Sequence, residues 1–167
     1  MQLEEFNRYP SVEAEQLLKR CVNIPSWVIA LAQQRPYKTR HALLDLAQKN
    51  TAVWTWLEVK TALDTHPRIG EKKAKQHLTA EEQAFSDREQ AGIAQDQTTL
   101  DALYQGNVAY EQKFGFIFLI KAAGLSSEQI LQALQQRLQH SLEDEKDIVK
   151  QQLAAIALLR LEQEISA

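Results

Sequence analysis

The sequence has little of what chains use to interrupt or cross-link their structure. Its 167 residues include five glycines, four prolines and one cysteine, Cys21. A single cysteine excludes an intramolecular disulfide bond. Cys21 lies among apolar residues in a helical pattern, and we predict a buried, unreactive thiol because reactive cysteines need an exposed, electropositive setting.

A basic excess and a long apolar run are also absent. The formal net charge of −3 argues against nucleic acid as a main partner, although Lys72, Lys73 and Lys75 form a local basic cluster. The longest apolar run, residues 114–120, is too short to cross a bilayer, so no membrane partner is expected. The polar, acidic stretch at residues 1–10 does not resemble a signal peptide, and we expect a cytoplasmic location.

Helix formers dominate the residues that are present. Ala, Leu, Gln and Glu are abundant, apolar residues recur at helical spacing, and strand-like alternation is nearly absent. We predict an all-α fold, a single domain over residues 1–167, with about eight helices and one buried extended segment. The predicted helices cover roughly residues 11–22, 25–35, 39–49, 51–63, 79–91 and 98–113, one that opens at Ser126, and 142–165.

Local signals refine these predictions. Ser11 and Thr39 are predicted N-caps, and capping boxes are predicted at Thr79–Glu82 and Ser126–Gln129. Gly115 is expected to end a helix, after which the apolar run continues as the buried extended segment. Four residues of the predicted 51–63 helix and its end are expected to face the core: Val53, Trp54, Leu57 and Leu63.

A histidine in a stiff turn is the first candidate for chemistry. In "LDTHPRIGEKK", Pro67 restricts both its own backbone and that of His66, and histidine exchanges protons near neutral pH. The alternative is an incidental histidine in a surface loop. The other histidines, His41, His77 and His140, form no metal-binding spacing with it, so no metal site is predicted.

Three further stretches carry polar groups near apolar ones. Ser86, Glu89 and Gln90 share one helix face, which suits either a polar ligand or plain solvent exposure. The apolar stripe predicted for the last helix consists of Leu142, Val149, Leu153 and Ile156. Arg160 continues its spacing, so it lines a cavity, pairs with a carboxylate or extends to solvent. The backbone around "FGFIFLI" is either a core plug or a source of free amide groups for a ligand.

Together these stretches resemble one family. The ordered set is "HPRIG" at 66–70, "SDREQAG" at 86–92, "NVAYEQKFGFIFLI" at 107–120 and "LRL" at 159–161, with "SWV" and "RPY" nearer the N-terminus. It is similar to the decarboxylases of 2-oxo-4-hydroxy-4-carboxy-5-ureidoimidazoline (OHCU), which complete the conversion of urate to (S)-allantoin. The resemblance covers nearly the whole chain and implies an all-α homodimeric enzyme without metal or organic cofactor, acting on a small ureide.

The resemblance also implies roles for individual residues. His66 is expected to transfer a proton, with Glu89 as its catalytic partner. The residues expected to bind substrate are Pro67, Ser86, Gln90, Ile117, Phe118, Leu119, Ile120, Lys121 and Arg160. Two alternatives stay open: a non-catalytic helical interaction module, and another ureide-processing hydrolase or lyase. The roles of Arg68 and the lysines after it are left open too.

Overall fold

The computed structural model describes residues 1–71 and 78–167. Within these residues every assigned element is a helix, which confirms the all-α class. The described part of the chain contains nine α-helices, compared with the predicted number of about eight. The lysine cluster at residues 72–75 and His77 lie outside the described residues. The helices are α1 (Leu3–Arg8), α2 (Ser11–Cys21), α3 (Pro25–Gln33), α4 (Arg40–Thr51), α5 (Trp56–Ala62), α6 (Ala80–Glu89), α7 (Gln97–Phe114), α8 (Ser127–Arg137) and α9 (Leu142–Glu164), with a 3-10 turn at Leu63–Thr65.

Internal contacts divide the chain into two compact units. The first comprises Met1–Ala62 and Leu153–Ala167, and the second comprises Leu63–Gln152. The single domain over residues 1–167 therefore stays a prediction. No helix in the described ranges is long and apolar enough to cross a membrane.

The first unit is built around α3. This helix packs against both α2 and α4, and Pro25 occupies its first turn, where a missing N–H costs nothing. Trp27 is buried, donates its indole N–H to the carbonyl of Ala47 at 2.9 Å, and meets Trp54 edge-on at 6.4 Å between ring centroids. Edge-to-face aromatic pairs of this kind add stability beyond the area they bury.

The second unit contains the 3-10 turn, α6, α7, α8 and the first part of α9. Helix α7 packs against α8, and Gly106 allows close approach because a Cβ there would lie 2.2 Å from Leu134 Cδ2. Gly115 ends α7 with a φ of +82°, a left-handed conformation that favours glycine. The predicted helix end at Gly115 is thus confirmed.

Several local predictions hold and others are wrong. Thr39 caps α4 and a capping box at Thr79 opens α6, as predicted. Ser11 is instead the first helical residue of α2, after an N-cap at Pro10. The predicted helix over 51–63 is interrupted, because α4 continues through Thr51 and α5 begins only at Trp56. This break moves Val53 and Leu57 to the surface, 75% and 74% exposed, while the other two predicted core residues, Trp54 and Leu63, are buried.

Candidate active site

His66 lies directly after the 3-10 turn Leu63–Thr65. Its backbone N–H donates to the carbonyl of Leu63 at 3.0 Å. The residue is only 3% exposed, and Pro67 beside it is buried as well. The interpretation of His66 as a surface-loop histidine is therefore wrong. Pro67 restricts the backbone of His66 and burial limits the space around its imidazole, and both conditions favour a proton-transfer group.

The residues from His66 to Gly70 form a turn, called the His66 turn below, and side chains from two neighbouring segments bind its backbone. Gln90, just beyond α6, accepts the N–H of Gly70 on its Oε1 at 2.9 Å. Asn107 on α7 donates from Nδ2 to the carbonyl of Ile69 at 3.0 Å. Gly70 has a φ of +82°, which explains glycine at this position. Sequence reasoning does not single out Asn107 beyond its place at the start of the 107–120 motif.

Arg68 adds an outer tie between the turn and α7. Its guanidinium binds both carboxylate oxygens of Glu111, with Nε–Oε2 and Nη2–Oε1 distances of 2.9 Å each. The hydrogen bond to Glu111 raises the pKa of Arg68 above its ordinary value. A bidentate arginine–carboxylate pair fixes orientation as well as distance. The pair is partly exposed, so its stabilising effect is small, and its evident structural effect is to hold the turn.

The predicted polar face of α6 is buried. Ser86 and Glu89 are 2% and 9% exposed, which excludes the alternative of a solvated helix side for these two residues. Gln90 is half-buried, and one end of its carboxamide is bound to Gly70. The structure thus brings Ser86, Glu89 and the His66 turn into the same compact unit, and Gln90 connects α6 to the turn directly.

Two grooves lie against the turn. One, of about 420 Å³, lies between the turn and α7, and its lining includes Arg68 from the turn and Asn107 and Glu111 from α7. The other, of about 310 Å³, is lined on the side of α6 by Gln83, Gln90 and neighbours. Gly70 and Glu71 contribute to both. His66, Ser86 and Glu89 line neither groove, so these two grooves do not contain the predicted catalytic pair.

The predicted ligand-binding backbone, Ile117–Lys121, is an irregular segment after the end of α7. Its three central residues, Phe118, Leu119 and Ile120, are buried. Side chains hold it at two points. Arg137 donates from Nη1 to the carbonyl of Leu119 at 2.6 Å, and the N–H of Lys121 donates to Gln152 Oε1 at 2.8 Å. Sequence reasoning identifies neither anchoring residue.

Behind Arg137 lies a buried polar network centred on Glu145. This carboxylate is fully buried and accepts hydrogen bonds from Arg137 Nε at 2.7 Å and from the hydroxyl of Tyr110. Its second oxygen lies 3.0 Å from His140 Nδ1. Burial and the hydrogen bond to Glu145 raise the pKa of Tyr110, so Tyr110 stays a neutral donor.

Arg160 belongs to the first unit and is only 1% exposed. It therefore does not extend to solvent, one of the three alternatives that its position left open. Three residues of the predicted apolar stripe, Val149, Leu153 and Ile156, are buried, whereas the first, Leu142, is exposed. Cys21 is buried as predicted. Burial raises the pKa of its thiol to about 12, and the nearby Arg160 guanidinium partly opposes that rise.

Comparison with known proteins gives one family. The family model for OHCU decarboxylase matches residues 7–162. The uric acid degradation bifunctional protein TTL of Arabidopsis thaliana is 26% identical over 147 residues, which cover 86% of this chain and 43% of the relative. The uric acid degradation bifunctional protein PucL of Bacillus subtilis (strain 168) is 27% identical over 164 residues, which cover 95% of this chain and 32% of the relative. The OHCU decarboxylase of Halalkalicoccus jeotgali is 33% identical over 101 residues, covering 60% of this chain and 55% of the relative.

The chain thus spans between about a third and just over half the length of these relatives. Two solved structures share its fold. An OHCU decarboxylase structure determined in the presence of (S)-allantoin has a TM-score of 0.72 at 23% identity, covering 87% of this chain and 94% of that one. An (S)-allantoin synthase structure has a TM-score of 0.71 at 20% identity, covering 99% and 54%. Given the match of the family model over residues 7–162, the chain belongs to the OHCU decarboxylase family.

Proposed function

We propose that this chain is a carboxy-lyase that converts OHCU to (S)-allantoin, the last step from urate to allantoin. The observation that carries the proposal is the burial of His66, Ser86 and Glu89 at three positions of the family's motifs. All three side chains are shielded from solvent, on a turn that Gln90 and Asn107 hold by its backbone and on the helix that precedes Gln90. Such a setting suits groups that must orient a small substrate and transfer a proton away from bulk water.

The substrate supplies most of the chemistry itself. OHCU carries a carboxylate and a hydroxyl on one ring carbon, next to a C=N group. When the bond to the carboxylate breaks, its electron pair moves toward that C=N group and CO₂ leaves. The substrate is its own electron sink, so the proposal requires neither a metal nor an organic cofactor. The intermediate must then take a proton on one face of the ureido-bearing carbon to give the S product.

The protein therefore has to orient the ring and manage one proton. In our proposal His66 either takes the hydroxyl proton or delivers the proton to the new stereocentre. Glu89 either orients the His66 imidazole or serves as a second proton carrier. Ser86, Gln90 and the backbone of Ile117–Lys121 bind the ureido and ring amide edges, while Pro67 shapes the pocket wall. Gln90 offers its NH₂ group for this purpose, because its Oε1 accepts the N–H of Gly70.

Arg160 is proposed to bind an oxygen of the substrate, by its match to the family's arginine near the C-terminus. A carboxylate held tightly in an ion pair resists loss of CO₂. We therefore assign Arg160 to a ring oxygen rather than to the leaving group. A homodimer, a cytoplasmic location and one domain over residues 1–167 complete the proposal, and light scattering on the purified chain tests the first of these.

The test is stereochemical, because OHCU also decays spontaneously to racemic allantoin. Freshly generated OHCU is added to the protein, and circular dichroism at the allantoin bands records optical excess. We expect the native chain to produce (S)-allantoin and His66→Asn to lose about 10²–10⁴-fold in rate, the typical contribution of general acid–base catalysis. His41→Asn is the matched control, since His41 is an exposed histidine paired with Asp45, and its rate should match the native one.

Each outcome has a clear meaning. Full stereospecific turnover by His66→Asn contradicts the catalytic assignment, provided that its melting temperature equals that of the native chain. Racemic product from the native chain itself supports the non-catalytic helical module. Consumption of OHCU with release of a product other than allantoin supports a different ureide hydrolase or lyase.

A further inference from the structure

Arg137 contacts the segment that is proposed to bind substrate, yet the proposed mechanism assigns it no role. It is buried at the end of α8. Its Nη1 donates to the carbonyl of Leu119 at 2.6 Å, and its guanidinium carbon lies 4.5 Å from the centroid of the Phe118 ring. Two consecutive residues of the Ile117–Lys121 segment are thus held by one side chain.

Glu145 fixes the direction of that side chain. Its Oε1 accepts from Arg137 Nε at 2.7 Å and lies 2.6 Å from Arg137 Nη2, so two nitrogens of the guanidinium bind one carboxylate. The guanidinium group is planar and rigid, so contacts of two of its nitrogens with Glu145 determine where the third nitrogen points. That nitrogen, Nη1, is the one bound to Leu119. Tyr110 and His140 complete the carboxylate's partners.

The segment needs such a support because it has no regular structure of its own. Residues 117–122 belong to no helix and no strand, so no repeating backbone hydrogen bonds set their direction. Binding the amide edges of a small ureide requires backbone groups placed to within a fraction of an ångström. Replacing a buried ion pair by apolar residues is often neutral or stabilising, so stability alone explains the pair poorly.

We propose that Arg137, oriented by Glu145, is a positioning residue that presents the Leu119 region of the backbone to the substrate. This inference rests on the proposed function, since it assumes that Ile117–Lys121 binds the ureide. The expected consequence is specific. Loss of Arg137 weakens binding of ligands that use this backbone, whereas equal destabilisation elsewhere in the chain does not.

Three variants test it. Arg137→Met combined with Glu145→Gln removes both charges together and avoids an unpaired buried ion. Arg137→Lys keeps a cation for Glu145 but lacks the fork that reaches the Leu119 carbonyl at the same time. Arg35→Met is the matched control, because Arg35 also donates to backbone carbonyls, those of Phe6 and Tyr9, in the first unit.

Calorimetry gives the dissociation constant for (S)-allantoin, stereospecific turnover gives KM and kcat, and hydrogen exchange reports the amides of residues 118–121. For the double variant and for Arg137→Lys we expect the dissociation constant and KM to rise at least tenfold. Exchange at residues 118–121 should accelerate by a similar factor while the middle of α7 is unchanged. Arg35→Met should lower the melting temperature and leave the dissociation constant within twofold.

A folded double variant with native affinity overturns the inference, and so does native affinity in Arg137→Lys if the double variant does not fold. A native chain that neither binds (S)-allantoin nor produces it in optical excess contradicts the proposed function instead. In that case hydrogen exchange still decides the structural half of the inference. Unchanged protection at residues 118–121 in the variants shows that Arg137 does not hold the segment.

Discussion

A single buried charge raises the sharpest question at the scale of residues. Arg160 occupies a position that an aliphatic side chain would normally fill in the last helix, and it is 1% exposed. Side chains such as arginine are almost never fully buried unless they are paired. The anomaly is visible in the sequence, because Arg160 breaks an apolar spacing. What the sequence does not show is where the guanidinium goes, since that depends on neighbours far along the chain.

Replacing Arg160 separates a binding role from a structural one. If Arg160 binds a substrate oxygen, Arg160→Ala should weaken (S)-allantoin binding by about 10–100-fold, the effect of a hydrogen bond to a charged group. The control is Arg20→Ala, since Arg20 lies in the same unit, 3.7 Å from Glu164, and is partly exposed. Calorimetry measures the affinities and thermal melting the stabilities. A collapse of stability in Arg160→Ala with native affinity would show a purely structural role.

Removing the side-chain amide of Asn107 tests whether this residue holds the His66 turn in place. Asn107→Ala removes the donor to the Ile69 carbonyl and should lower the free energy of unfolding by about 1–3 kcal/mol. It should also lower kcat, because His66 is then less well placed. Asn7→Ala in the first unit removes the same kind of bond, from Asn7 Nδ2 to the carbonyl of Tyr37 at 2.9 Å, together with the bond from the Tyr37 N–H to Asn7 Oδ1 at 2.8 Å. That control should lose stability with kcat unchanged, and equal kcat values in both variants would contradict the positioning of His66 by Asn107.

At the scale of elements, the features predicted from sequence are those determined by close neighbours in the chain. Thr39, Thr79 and Ser126 each cap a helix through a bond to a residue three positions on, and such bonds are readable from a short window. The anchors of the site are not local. Asn107 binds a carbonyl 38 residues away, and Arg137 binds one 18 residues away. No short window of sequence contains both ends of these bonds, although the motifs that the two residues support are recognisable.

The capping box at the start of α6 allows one of these local predictions to be tested. Thr79 accepts the N–H of Glu82, and Glu82 accepts the N–H of Thr79 in return. Thr79→Ala should cost about 1 kcal/mol of stability and accelerate amide exchange in the first turn of α6. Because Ser126→Ala removes the same motif from α8, it should move the effect to α8. Exchange measured by mass spectrometry distinguishes the two, and identical exchange maps would contradict local capping.

At the scale of the whole molecule, the alkaline limit of stability follows from buried acids. Burial raises the pKa of Cys21 from 9.0 to about 12 and that of Tyr37 from 10.0 to about 12. Above pH 9 the unfolded chain has released the thiol proton while the folded chain retains it. Unfolding then releases a proton, so stability falls as the pH rises toward 12, by about 1.4 kcal/mol per pH unit for one such group.

Cys21→Ala should therefore flatten the dependence of stability on pH between 9 and 12. Its stability at pH 7 will be lower by the loss of the buried sulfur, so the slope is the quantity to compare. Urea unfolding at several pH values measures it for the native chain and the variant. Parallel curves would contradict a raised thiol pKa, whereas Tyr37 and Tyr110 should leave a residual decline in both proteins.

The irregular segment after α7 also bears on what happens when the molecule unfolds. Residues 114–120, "FGFIFLI", run from the last residue of α7 into this segment. They carry no charge and no proline and consist mostly of aromatic and β-branched residues, the composition of segments that stack into cross-β aggregates. In the folded chain the carbonyl in their midst is occupied by Arg137. The bond that orders this backbone thus also withholds it from another copy. Denatured chains at high concentration should accordingly aggregate through this stretch.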